Sequence, residues 1–540
     1  LEAHTGNVRR VYARLLKTES PDIRTGLPAG FDGAAAQWRK VLAAHSFRDA
    51  DAASRRLKEF AEGPGYVHVS SHTTELAMRL VPKLLALCPG PSASRAPGSP
   101  VLSDPDRVLT RLDSFIAAYG SRAALMEMWN NHPAMFDLML LLFDRSEFLA
   151  ETSIRAPDLV EGLVTSGRLR QRKFAPEILK DLQHGRTDAD QFLWLRRYHE
   201  VEQMRLGLRD ILGLVDFEQN LAELSGLADA CLQYALEVAL RKNRMRPPPL
   251  AIFGLGKLGG GEIDYGSDLD IVFVTGEKER NLPKLQHLAV QVLELLSRRT
   301  DRGIVFATDT RLRPDGEKGL LVNSLEAFEN YYRERAQLWE IQALTRVRWV
   351  AGDAVVGRQF QKLASSVTDF SEPGHSPVTA RLGPDWKRQI HQMRLRIQKE
   401  RTPPGHDELA IKTGAGGLMD AEFVAQALCL EQGWTEPNTL RALERARDAK
   451  LLPEAAALIE NYRRLRRVEG ILRRWSYEGE TVLPDNPAPY FRVAVRCGYA
   501  TPEAFRRAVA DWRQAIREVY DQVLNPEKPA RVPAITLWPN

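Results

Sequence analysis

The chain has 540 residues, 44% of them apolar and 27% charged, with a formal net charge of +5. One hydrophobic core does not fill that length, so two to four domains of ordinary globular composition are expected. The positive balance is scattered rather than gathered into a basic stripe, which argues against a dedicated nucleic-acid binder and suits a small anionic ligand.

Residues 1–88 read as an N-terminal helical, regulatory or linking region. The Pro/Ser/Gly-rich segment 89–105 that follows has the composition of a linker or mobile loop. A helical domain is expected over 105–243. Apolar side chains recur at helical spacing through 106–150 (Val108, Leu109, Leu112, Phe115, Ile116, then Met126 to Leu149). They recur again through 190–242 (Leu206, Leu208, Ile211, Leu212, Leu214). Pro247, Pro248 and Pro249 interrupt this texture. Short apolar runs at 250–255, 269–274 and 304–307, the last leading to Asp309, then read as strands around an amphipathic helix at about 283–299. A small α/β domain is therefore expected over 244–366. A loop at 371–384 leads into a C-terminal helical bundle over 380–525, with helices at 435–480 and 502–524. No structure is assigned to the proline-dotted tail 526–540. The expected fold is mainly α, with a short mixed sheet embedded between helical bundles.

Cys88, Cys231, Cys429 and Cys497 are far apart and form no CxxC pair, so neither a zinc site nor a disulfide framework is expected. The longest apolar stretch, 138–143, is far too short to span a membrane. The chain starts at Leu1 with no signal-peptide pattern, and a cytoplasmic location and a piece of a longer protein are expected.

Chemistry concentrates in GLGKLGGGEIDYGSDLDIVFV, residues 254–274. Asp268 and Asp270 are two apart, so at the start of a strand their carboxylates share a face and repel unless a hard cation lies between them. Mg²⁺ takes oxygen ligands and substrate phosphates. Asp309, in TDTRLRP at 308–314, supplies a third carboxylate, and three acids on adjacent strands can hold two metals for in-line phosphoryl displacement. Taken singly, Asp-x-Asp is also a solvated turn or helix cap, and the glycines are also a flexible turn. The stretch fits neither the dinucleotide fingerprint nor the P-loop, because Lys257 falls mid-loop and no GK[ST] follows.

The blocks GKLGGGEIDYGSDLDIVF (256–273), DTRLRPDGEKGLLVNSLEAFENYY (309–332), LWEIQALTRVRWVAGD (338–353) and IKTGAGGLMDAEFVAQALCL (411–430) resemble the bacterial bifunctional glutamine synthetase adenylyltransferase/adenylyl-removing enzyme. A weaker likeness runs from LEAHTGNVRRVYARLL at the start to about residue 520. The family enzyme has two related halves, and the single motif here resembles the C-terminal, AMP-adding half.

The resemblance implies transfer of AMP from ATP to a tyrosine of glutamine synthetase, in the control of nitrogen assimilation. Phosphorolytic removal of AMP and a non-catalytic regulatory fragment remain alternatives. A template-directed polymerase would also use such carboxylates, but it should show aromatic and basic nucleic-acid contacts that the sequence lacks. Matching positions assign Asp268 and Asp270 to two Mg²⁺ ions, with Mn²⁺ equally compatible, and Asp309 to the ion nearest the acceptor hydroxyl and to a proton-accepting role.

Gly256, Gly259 and Gly260 would cradle the triphosphate through backbone N–H groups, with Ser267 donating to a phosphate oxygen. Lys257, Arg311 and Arg313 are expected phosphate contacts, although Arg311 could instead pair with a nearby acid. Glu262 could simply order the glycine loop. Asp420 and Glu422 are expected either to cap a helix start or to approach the cleft. Arg394, Arg396, Lys399 and Arg401 read as a solvated helix face rather than a nucleotide-facing cluster. Glutamine synthetase as protein substrate, with the PII signalling protein and glutamine as effectors, rests on the resemblance alone.

Overall fold

Each break in the helical periodicity has a local cause. The computed structural model describes residues 26–90, 101–276, 281–300 and 302–525. The N-terminal motif at 1–16, most of the linker segment 89–105 and the tail 526–540 lie outside the described residues. The run 106–150 is four helices, Pro105–Tyr119, Arg122–Asn131, Pro133–Arg145 and Glu147–Arg155. Gly120, at φ 81°, ends the first. Pro133 opens the third. The Ser146 hydroxyl caps the fourth by accepting from the Leu149 N–H. Trp38, Leu57, Leu112, Phe136 and Phe143 are among the side chains these helices bury together with the preceding ones.

The run 190–242 likewise splits at Gly213 (φ 64°) into α1 (Gln191–Ile211) and α2 (Phe217–Lys242), whose first turns are capped by Asp190 and Asp216. The chain then enters a five-stranded mixed sheet. Its strands are β1 (Leu250–Gly254), β2 (Leu269–Thr275), β3 (Thr308–Asp309), β4 (Val322–Ser324) and β5 (Arg348–Gly352). β1 runs antiparallel to both β2 and β5. The other edge of β2 pairs in parallel with β3 and, further along, with β4. The helix expected near 283–299 is α3 (Leu282–Ser297).

The strand expected at 304–307 forms instead at Thr308–Asp309. Val305 and Phe306 are pulled in as an apolar plug whose backbone N–H groups both donate to the Leu296 carbonyl at the end of α3. The strands β4 and β5 were not anticipated, being short and partly polar.

Alternation along the strands divides two apolar layers. Leu250, Ile252, Leu269, Ile271 and Phe273 pack toward α2 and α3. Ala251, Phe253, Val272 and Val274 pack toward the C-terminal helices. On that second side Phe253 lies 4.6 Å from Phe360, centroid to centroid, and burying one such ring contributes about 1.5–3 kcal/mol. The helices there include α4 (Leu338–Leu344), α5 (Trp386–Arg401), α6 (Leu418–Gln432), α7 (Ala455–Ser476) and α8 (Pro502–Leu524). The architecture is mainly α with one small mixed sheet, as expected. All four cysteines are free thiols, and no described helix is long and apolar enough to cross a membrane.

Candidate active site

Strand parity decides which β2 side chains reach the cleft. Leu269, Ile271 and Phe273 are committed to the α2/α3 layer, so Asp270 shares the opposite face with Val272 and Val274. The parallel pairing sets Asp270 in register with Asp309. Asp268 lies just before the strand and is exposed. Burial pushes the Asp270 carboxyl up to about 6, and the like charges of Asp309 and Asp268 add to that effect, while Lys412 and Arg346 oppose it.

Asp309 is not free. Arg311 folds back over it, with Nε 3.0 and 2.9 Å from the two carboxylate oxygens, and its backbone N–H donates to Oδ1 at 2.8 Å. This hydrogen-bonded guanidinium holds the Asp309 carboxyl below the usual carboxylate range. Of the two expectations for Arg311, the one seen is the acid pair. Arg313 is spent on its own loop, donating to the Thr310 carbonyl at 2.6 Å and the Thr310 hydroxyl at 2.8 Å.

The glycine loop departs from the expected cradle. Gly259 and Gly260 are buried, and their N–H groups already donate to the Leu255 and Gly256 carbonyls. A Cβ on Gly259 would collide with the Arg346 carbonyl, so this glycine serves close backbone packing rather than phosphate contact. Gly256 does reach the cleft. Its φ is +52°, and a Cβ there would strike the Asp270 carboxylate. The Ser267 hydroxyl accepts from the Asp264 N–H (3.0 Å) and from Arg473 Nη1 (3.3 Å). Glu262 orders the loop through its pair with Arg346 and by accepting from the Thr439 hydroxyl (2.8 Å).

Lys257 pairs with Glu469 on α7 at 2.7 Å. Burial, with the nearby Arg466 cation, lowers the Lys257 amine to about 7. Glu469 also holds Arg466 and Arg473, which keeps it ionised.

A cleft of about 320 Å³ opens between the sheet, α4, α5 and α6. Lys257, Asp270, Arg346, Lys412 and Glu422 form its charged lining beside Gly256, while Trp339, Met393, Ile397 and Phe423 supply apolar walls. Lys412 and Arg346 were not anticipated as site residues. Both lie inside the quoted blocks, and the stripe Trp339, Gln342, Ala343, Arg346 at i, i+3, i+4, i+7 was a legible signal.

Asp420 is absent from the lining. It is fully buried between Arg394 (2.6 Å) and Arg517 (3.2 Å) and accepts from the Gly416 N–H at 2.8 Å. Arg394 therefore leaves the expected solvated face, whereas Arg396, Lys399 and Arg401 are exposed.

Burial raises Asp270 and the neighbouring carboxylates add to it, and a hard divalent cation relieves like charges placed this close. Asp270, Asp309 and the nearby Asp268 match such an ion in donor chemistry. They are not gathered for it, because Arg311 occupies Asp309, and among the described residues no group of three or more acid, His or Cys ligands converges.

Residues 137–363 match the family model of glutamate–ammonia ligase adenylyltransferase. Residues 385–524 match that of GlnD PII-uridylyltransferase. The chain is 29% identical over 504 residues to the bifunctional glutamine synthetase adenylyltransferase/adenylyl-removing enzyme of Chromobacterium violaceum, an alignment covering 90% of this chain and 51% of the relative. It is 30% identical over 416 residues to the Nitrosococcus oceani protein of the same name (71% and 42% covered). With that of Aromatoleum aromaticum it shares 31% over 424 residues (74% and 42%). The resemblance read from the motifs is borne out by these matches. The chain spans about half the length of the curated relatives it matches.

Proposed function

We propose that this chain is a nucleotidyltransferase that moves AMP from ATP onto a tyrosine of glutamine synthetase. The observation that carries the reading is the register of Asp309 with Asp270, which lines a cleft together with Lys257, Lys412 and Arg346. Carboxylates beside lysine and arginine are what an in-line transfer at a nucleotide α-phosphate requires. The similarity to enzymes named for this reaction supplies the substrate class.

In the proposed reaction the tyrosine oxygen bonds to the α-phosphorus, and the bond from that phosphorus to the α,β-bridging oxygen breaks. Pyrophosphate departs, and the hydroxyl proton passes to a carboxylate. Lys412 and Lys257 would hold the departing phosphates. Asp309 would accept the proton once Arg311 lets go, since a carboxylate held low by its guanidinium is a poor base. Mg²⁺ bound by Asp268, Asp270 and Asp309 would lower the pKa of the acceptor hydroxyl and neutralise the leaving group. The apolar wall of Trp339, Met393 and Phe423 suits a purine ring. We further propose a cytoplasmic setting, with PII and glutamine as effectors.

The test supplies α-labelled ATP, Mg²⁺ and unmodified glutamine synthetase to the wild type and to an Asp268→Asn, Asp270→Asn double variant. Label transferred by the wild type and lost in the variant supports the proposal. Release of ADP from adenylylated synthetase and phosphate, without forward transfer, would assign the reverse reaction instead.

A further inference from the structure

Two helices face each other across the cleft in rungs. On α6, Met419, Glu422, Phe423 and Gln426 line it; opposite, Trp339, Gln342, Ala343 and Arg346 come from α4 and the turn that follows it. The outer rung is closed, because the Gln342 amide donates to the Gln426 side-chain oxygen at 2.6 Å. One helical turn closer to the glycine loop, the rung of Arg346 and Glu422 is open. Glu422 is only 8% exposed and Arg346 5%, yet among the described residues Glu422 Oε1 and Arg346 Nε have no hydrogen-bond partner. The two residues act on each other through charge without forming an ion pair.

Buried polar atoms of this kind are rarely left without partners, so an unpartnered acceptor and an unpartnered donor on two residues lining one cleft call for a group that both gives and takes a hydrogen bond. A hydroxyl does this with one oxygen. Arg346 anchors its end of the rung at the glycine loop, through Glu262 and beneath Gly260, which is the end where Lys257 and Asp270 would meet phosphate. The sugar joined to that phosphate would therefore lie at the open rung, and the base would lie beyond it against Trp339 and Phe423.

We propose that Glu422 and Arg346 bind a ribose hydroxyl of the nucleotide, making Glu422 the residue that selects ribonucleotides over deoxyribonucleotides. The proposal rests on the nucleotide reading of the cleft given above. The Tyr462 hydroxyl is a third unpartnered group in this region, but it lies outside the cleft lining and serves as a control.

The test is calorimetric binding of ATP, 2′-deoxyATP and 3′-deoxyATP with Mg²⁺ present, which needs no protein acceptor. The wild type should bind ATP about 10- to 100-fold more tightly than one of the two deoxy analogues, the worth of a hydrogen bond to a charged group, and the weaker analogue identifies the hydroxyl. Glu422→Gln should bring ATP down to that analogue's affinity and leave the analogue unchanged, whereas Tyr462→Phe should keep the preference. A merely structural Glu422 would weaken all three ligands together.

Equal binding of the three by the wild type, or a preference that survives in Glu422→Gln, overturns the proposal. Should Glu422→Gln fail to fold, Glu422→Asp carries the test, and an undiminished preference there is equally fatal. Absence of any ATP binding by the wild type removes the nucleotide reading itself. Selective binding without transfer to glutamine synthetase leaves the ribose assignment standing and removes only the proposed acceptor.

Discussion

Asp270 and Asp309 are register partners on two parallel strands, so carboxylates from separate sequence motifs project from one face of the sheet. Burial of Asp270, with that proximity adding to it, has a cost measurable without any substrate. Asp270 titrates at about 6 in the folded chain, against about 3.9 for an unperturbed aspartate. Between those values the folded state holds the extra proton, so stability falls as pH rises through the window and stays lower above it. Asp270→Asn abolishes this penalty. In metal-free buffer the variant should melt higher than the wild type near pH 8, with the gap closing at about pH 4, while transfer falls by at least about 100-fold. A variant that melts no higher at either pH refutes the electrostatic account.

The Arg311–Asp309 pair competes with any cation for Asp309. The Arg311 side chain is 62% exposed, and exposed pairs contribute only about 0–1 kcal/mol. Arg311→Met should therefore tighten Mn²⁺ binding, followed by electron paramagnetic resonance of the free ion, by no more than about fivefold. Its melting temperature should barely move. Unchanged Mn²⁺ affinity would show that the guanidinium does not stand in the way of the metal.

Two glycines of one loop should respond differently to alanine. At Gly259 the new Cβ meets the Arg346 and Gly254 carbonyls, which are backbone and cannot swing away. Gly259→Ala should lose more than about 4 kcal/mol in urea unfolding. At Gly256 the obstacle is the end of the Asp270 side chain, which can rotate. Gly256→Ala should stay folded, with a cost of about 1–2 kcal/mol for its left-handed backbone, yet show strongly reduced transfer because the carboxylate is displaced. Similar losses in both variants would contradict this division.

Asp420 and Glu422 are two residues apart and should separate cleanly. Asp420→Asn leaves Arg394 buried without its counter-charge and takes one of two carboxylates from Arg517, which keeps Asp521 at 2.9 Å, a loss of about 3–5 kcal/mol. ATP affinity, measured below the melting transition, should change by less than about twofold, the scatter expected of a residue outside the lining. A large affinity loss in that variant would return Asp420 to the binding site.

The sequence by itself determined the kind of chemistry and where it is written. Spacing of two between Asp268 and Asp270, a following β-branched run and a distal Asp309 are local facts, and the helices were legible because their periodicity is local too. The tertiary structure decided which of these groups are available. Gly259 is close-packed because a β5-side carbonyl passes over it, Asp420 belongs to arginines of α5 and α8, and Lys257 answers to Glu469 on α7. Lys412 and Arg346 enter the cleft from outside the glycine and aspartate motif. Partners this distant in sequence leave no periodic trace, since burial and charge pairing depend on which elements meet, and that is fixed only when the layers pack.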